Sequence, residues 1–238
     1  MEIAAMTRGI STPNTFYKYM KRQHARQLVR SGICRIGTLF EYRDMEKYGP
    51  EIGDTTEGRR SIYFHGEMSA DDPSTIPEFT KNVINLAGKG SAMINCEIVQ
   101  EYKSEDMFVF SGSKEPDPRT MRAMGYETIV KIIDIESFVR AVTPYLHERC
   151  PVDLKHVLLG LCFYQQRTQH YLRDPGIHPA LIKDPEYAYQ KELRVIWSPA
   201  NQPIEPLIVE CAPASHFCRF VSDNELKDCS RRPRRANR

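Results

Sequence analysis

Late in the chain, the run Lys183-Asp-Pro-Glu-Tyr-Ala-Tyr-Gln-Lys-Glu-Leu-Arg-Val-Ile-Trp gathers the side chains best suited to chemistry. Gln190, Glu192 and Arg194 recur at every second residue, the period that places side chains on one face of a β-strand. Tyr187, Tyr189, Leu193, Val195 and Trp197 fall on the other face, interrupted by Lys191. A carboxylate presented this way can accept from a ribose hydroxyl and stabilise positive charge at the neighbouring anomeric carbon. An amide beside it can orient a nucleophile without competing for protons. The bland reading is a solvated strand face with Glu192 and Arg194 as a weak surface pair, and on the strand alone that reading is preferred.

Three other clusters offer partners. Tyr17-Lys18-Tyr19 sets an ammonium between two rings, suited to a diphosphate beside a stacked base, or simply to an alternating edge strand guarded by its Lys. Ser111-Gly112-Ser113 puts hydroxyls and a close-approach glycine at a strand end, a ligand wall or a plain turn. Tyr42-Arg43 precedes the Gly-rich, acidic stretch from Gly49 to Gly58, where Arg43 could bind phosphate and Glu57 could position it or act as a base. The scattered histidines lack a second spaced ligand pair, so no metal is expected. Gly88-Lys89-Gly90-Ser91 lacks the spacing of a phosphate loop.

Elements must carry these residues. Strands are predicted near residues 16–19, 33–39, 61–65, 92–99, 107–111, 128–133, 156–164, 206–211 and 217–221, besides the late strand. Helices are predicted over 20–31, ended by Gly32, over 118–124, and from an Asp134 cap to about 146. Segments 49–58, 69–78 and 165–180 read as loop or irregular connection. Interspersed strands and few helices indicate an α+β class, with residues 1–15 as lead-in, 16–228 as a single α+β domain and 229–238 as an Arg-rich disordered tail. The net charge of +2 hides that tail's five arginines; the remainder has 28 basic against 31 acidic residues, which argues against a domain built around a duplex. An odd set of seven cysteines without Cys-x-x-Cys, no signal-peptide pattern and no spanning apolar run lead us to expect a cytoplasmic protein with reduced thiols and no membrane partner.

Tyr17-Lys18-Tyr19, the segment Thr38-Leu39-Phe40-Glu41-Tyr42-Arg43 leading into Gly53-Asp54-x-x-Glu57-Gly58, and Lys183-x-x-x-Tyr187-x-x-Gln190-x-Glu192-x-Arg194 together resemble a family of bacterial domains found in prophages and defence-type loci. More distantly the chain resembles the ADP-ribosyltransferase superfamily, through short motifs spread over residues 16–197. That resemblance implies a mixed or antiparallel split β-sheet core, NAD as substrate, and a protein or nucleic-acid acceptor, or NAD hydrolysis. It would make Glu192 and Gln190 the catalytic pair, Glu192 holding the nicotinamide ribose and Gln190 the acceptor. Lys18 would take the first-strand basic role, where Arg or His is usual, and Ser111 or Ser113 the middle-strand role, without the usual Thr. Tyr17, Tyr42, Arg43 and Arg194 complete the expected nucleotide-binding set. Two alternatives stand beside it: a non-catalytic nucleotide-sensing module, and a nucleic-acid binder using the tail with Lys21, Arg22, Arg26 and Arg30.

Overall fold

A computed structural model describes residues 2–5, 13–81, 83–86, 88–222 and 224–226. Its strands are β1 (Glu2–Ala5), β2 (Phe16–Met20), β3 (Ile33–Thr38), β4 (Arg59–Ser69), β5 (Ala92–Lys103), β6 (Phe108–Ser113), β7 (Thr128–Ile132), β8 (Val152–Leu161), β9 (Phe163–Tyr164), β10 (Thr168–His170), β11 (Ile182–Lys183), β12 (Glu192–Pro199), β13 (Leu207–Glu210) and β14 (Cys218–Phe220). The α-helices are α1 (Arg22–Ser31), α2 (Met45–Tyr48), α3 (Pro118–Ala123) and α4 (Ile135–Arg149). This is a mixed α+β architecture with mostly antiparallel sheets.

The larger sheet runs β1-β8-β12-β6-β2-β7-β14, with β3 joined to β6 and β13 to β3. Strand β6 is its pivot. On one side it pairs with β12 along its whole length, from Ser113 opposite Glu192 to Phe108 opposite Trp197. On the other side it is shared: Tyr17 of β2 meets Ser113, while Gly37 and Thr38 of β3 meet Val109 and Phe108. Phe110, Ser111 and Gly112 lie between these two contacts, and there the sheet opens. Gly112 permits the close approach of β2, because a Cβ at that position would sit 2.2 Å from a Phe16 ring carbon and 2.7 Å from the Tyr17 carbonyl oxygen.

One face of this sheet carries the main core. Leu193, Val195 and Trp197 of β12 join Phe16, Phe110 and the α4 residues Phe138, Val142 and Leu146, all buried. Trp197 satisfies its indole N–H on Thr143 Oγ1 at 2.9 Å, which lets so large a side chain sit fully inside. Ala25 and Leu28 bring α1 onto the same core. Gly32 ends α1 in the left-handed conformation (φ 67°), and Asp134 accepts from the Ser137 N–H to cap α4, both as the sequence indicates.

Several expectations need correction. The lead-in contains β1, paired in parallel with β8 from Glu2 opposite His156 to Ala5 opposite Leu159. The apolar run 156–164 is two strands, interrupted at Cys162, and α4 continues to Arg149. The supposed irregular stretch 165–180 contains β10, which lies parallel to β4, and two 3-10 turns. Ser111-Gly112-Ser113 belongs to β6 rather than to a turn after it. The Arg-rich end lies outside the described residues. No described helix is long and apolar enough to cross a membrane.

Candidate functional site

The late strand is shorter than its alternation suggests. Pro185–Gln190 forms a 3-10 helix, as Pro at its first turn favours, and Lys191 then takes a left-handed conformation (φ 47°) before β12 begins at Glu192. Tyr187, Tyr189 and Gln190 therefore do not share strand faces with the residues that follow. Nor is the polar face wet. Glu192 and Arg194 lie on the side of β12 that carries Ile196, packed with Leu39, Val109, Ala180 and Leu181. Arg194, Glu57, Lys183, Gln190 and Glu192 are only 2%, 1%, 3%, 4% and 7% exposed.

Burial on this scale demands partners, and they are present. The Arg194 guanidinium forks onto Glu57, Nη1 to Oε1 at 2.8 Å and Nη2 to Oε2 at 2.9 Å. Its Nε donates to Glu192 Oε1 at 2.8 Å, and Nη1 also reaches the Ala180 carbonyl. Lys183 Nζ donates to Glu192 Oε2 at 2.9 Å and to Gln190 Oε1 at 2.7 Å. Gln190 turns its Nε2 to the Glu51 carbonyl at 2.8 Å, so both ends of its amide are engaged. The Tyr187 hydroxyl donates to the Gly53 carbonyl at 2.9 Å, and Arg167 binds Asp54 and Asp184. The acidic 49–58 segment, expected as a surface loop, is thus stitched over β12 and buries Asp54 and Glu57.

Beside this network the opening next to β6 forms a cleft with a cavity volume of about 70 Å³, open to solvent on one side. Lys18, Ser111, Ser113, Tyr42, Gln190, Glu192 and Arg194, all expected site residues, line it together. Lys18 rises from the core side, with its Nζ 4.5 Å from the centre of the Phe110 ring, and donates to the Ser111 carbonyl that no strand takes up. Ser111 and Ser113 stand opposite Arg194 and Glu192 in the β6–β12 register, which puts all four on one face. Two expected residues lie elsewhere. Tyr17 packs with Met121 and Ile129, and Tyr19 supplies the ring at the cleft instead. Arg43 stacks its guanidinium over Phe40 at 3.5 Å and donates from Nε to the Glu57 carbonyl at 2.9 Å, bracing the loop from behind.

The electrostatics follow from this placement. Burial alone would raise the Glu192 carboxyl, but the Arg194 guanidinium and Lys183 ammonium hold it well below the usual carboxylate range. Burial opposes the Arg194 charge, and the Glu192 and Glu57 carboxylates overcome that opposition. Lys18 has less compensation: burial pulls its ammonium from 10.5 down to about 8, with Glu192 the largest opposing influence. Burial pushes the Tyr42 phenol far up, so it is a neutral donor at working pH. Glu57, Glu192, Arg194 and Lys183 cancel in charge among themselves, leaving Lys18 as the cleft's excess cation.

Sequence reasoning missed Lys183 as a site residue, chose Tyr17 rather than Tyr19 from the two rings beside Lys18, and did not find Ile52, Met124 or Tyr126 on the cleft wall. The Lys183 signal is its place in the same motif, seven residues before Gln190 and nine before Glu192. Tyr19 flanks Lys18, and Ile52, Met124 and Tyr126 carry no chemical mark. Among the described residues no group of His, Cys, Asp or Glu is placed to hold a metal ion. No family model, curated protein or solved structure matches the chain.

Proposed function

We propose that the cleft binds a nucleotide, NAD in the first instance, and that the chain is an ADP-ribosyltransferase-like protein acting at the nicotinamide–ribose bond. The supporting observation is that Lys18, Ser111 and Glu192, from β2, β6 and β12, line one opening in a sheet whose pivot strand is left uncovered. In this reading Lys18 meets the diphosphate, while Tyr42, Tyr126 and Met124 offer a wall for the nicotinamide or the base. Glu192, ionised at any working pH, accepts from the ribose hydroxyl and stabilises the positive charge developing as the C1′–N bond breaks. Nicotinamide leaves with the bonding electrons as a neutral molecule. The acceptor or water oxygen then bonds C1′ and releases its proton to solvent. Gln190 and Arg194 are positioning residues here, since their polar atoms are committed to Lys183, Glu51, Glu57 and Glu192. The bacterial-conflict setting that the resemblance implies belongs to the same proposal.

One observation favours a second reading, nucleotide binding without turnover. Both Glu192 oxygens already accept from buried cations, which damps the field the carboxylate can offer a substrate. Nicotinamide release from NAD by the purified protein, with and without cell lysate, separates the two. Release by the wild type, lost in a folded Glu192→Gln variant, supports turnover, and dependence on lysate marks a transferase. NAD binding without release supports the second reading. A folded protein that neither binds nor cleaves NAD removes NAD from both.

A further inference from the structure

We propose that the exposed face of α1 is a docking surface for the phosphate backbone of a nucleic acid, separate from the cleft and independent of its reading. The helix buries Ala25 and Leu28 in the main core, and its sequence, RQHARQLVRS, contains no acid. Lys21, Arg22, Arg26 and Arg30 are all exposed on its outer side. At about 100° and about 1.5 Å per residue, Arg22, Arg26 and Arg30 fall within about 80° of arc along about 12 Å of helix. Gln23 and Gln27 flank that row and add amide donors.

What sets the row apart is its spacing along one acid-free helix. Exposed bases elsewhere are of both kinds, and Lys89, Arg149 and Lys155 also meet no carboxylate among the described residues. Lys81, Lys103, Lys191 and Arg219 each meet a carboxylate, of Glu78, Glu101, Glu115 and Glu225. Among the described residues, the side chains of Lys21, Arg22, Arg26 and Arg30 meet none. The carboxylate recorded beside them, Glu127, accepts from the Arg22 backbone N–H at 2.9 Å and stands in for the side-chain cap that Lys21 cannot supply. Unpaired guanidinium groups in a row match a repeating phosphate chain, each able to fork onto one phosphate. A bilayer surface fits less well. Helices that lie on membranes present apolar side chains to the lipid, and the apolar residues of α1 are turned into the core.

Fluorescence anisotropy with labelled single-stranded and duplex oligonucleotides, over a salt series, tests this on the full chain. The comparison is wild type against Arg22→Gln/Arg26→Gln/Arg30→Gln, with thermal melts to show that both fold alike. Each phosphate contact contributes about −0.9 to the slope of log affinity against log salt on a duplex, and about −0.7 on a single strand. Losing three contacts should flatten the slope by about 2.7 or about 2.1 respectively and weaken binding at low salt at least tenfold. Three results would overturn the proposal: no binding by the wild type at low salt, equal affinity and slope for the folded triple variant, or tighter wild-type binding to phosphatidylserine-containing vesicles than to either oligonucleotide.

Discussion

Replacing Glu57 with Ala tests whether the polar face of β12 is a buried network. In the folded chain Glu57 supplies two charge-assisted hydrogen bonds to Arg194, at 2.8 and 2.9 Å, in a site where both residues are almost wholly excluded from water. Its removal leaves the Arg194 Nη2 with only a 3.4 Å contact to Glu192 and gives the group of four an uncompensated positive charge. Removing one partner of a buried pair typically costs about 3–5 kcal/mol, against about 5–15 kcal/mol for a whole domain's stability. We therefore expect the urea midpoint to fall by that equivalent at an unchanged m value. Glu57→Gln, which keeps one acceptor, should lose less. Glu57→Ala combined with Arg194→Met should recover part of the loss, because no charge is then stranded at that position. A loss below about 1 kcal/mol for Glu57→Ala would match an exposed pair and refute the reasoning.

Two pH dependences follow from the same geometry. The folded Glu192 carboxyl lies well below its ordinary value of 4.5, so on acidification the unfolded chain takes up a proton before the folded one does. Its contribution to stability is fully present above about pH 4.5 and falls as pH drops below it, and Glu192→Gln should show a shallower acid limb in chemical denaturation. Lys18, lowered to about 8, should lose its charge as pH rises through that value, so affinity of the cleft for an anionic nucleotide should decline there. Titration of the wild type beside a folded Lys18→Met variant checks this, since the variant should bind weakly and without that step.

Much of the framework was legible because its signals are local. Gly32 requires a left-handed φ, Asp134 bonds the Ser137 N–H three residues on, and the alternation of Leu193, Val195 and Trp197 marks one core-facing strand side. The site was half legible. Lys18, Ser111, Ser113, Tyr42, Gln190, Glu192 and Arg194 do meet, but the alternation was carried too far toward the N-terminus, across the Pro185 turn and the left-handed Lys191. The burial of Glu192 and Arg194 was not legible at all. It depends on the 49–58 segment, whose Glu57 meets Arg194 across 137 residues of chain, and a run of glycines and acids looks the same whether it is solvated or stitched down. Likewise Tyr17 and Tyr19 share a strand side, and only packing decides that Tyr19 reaches the cleft.

The most direct test of the nucleotide reading is a calorimetric titration of NAD into the wild type, Lys18→Met and Ser111→Ala, with each variant's melt measured in parallel. Saturable binding by the wild type, weakened at least tenfold by Lys18→Met with its fold intact, is the predicted result. No heat of binding by the folded wild type, or equal affinity in the folded Lys18→Met variant, would contradict the account.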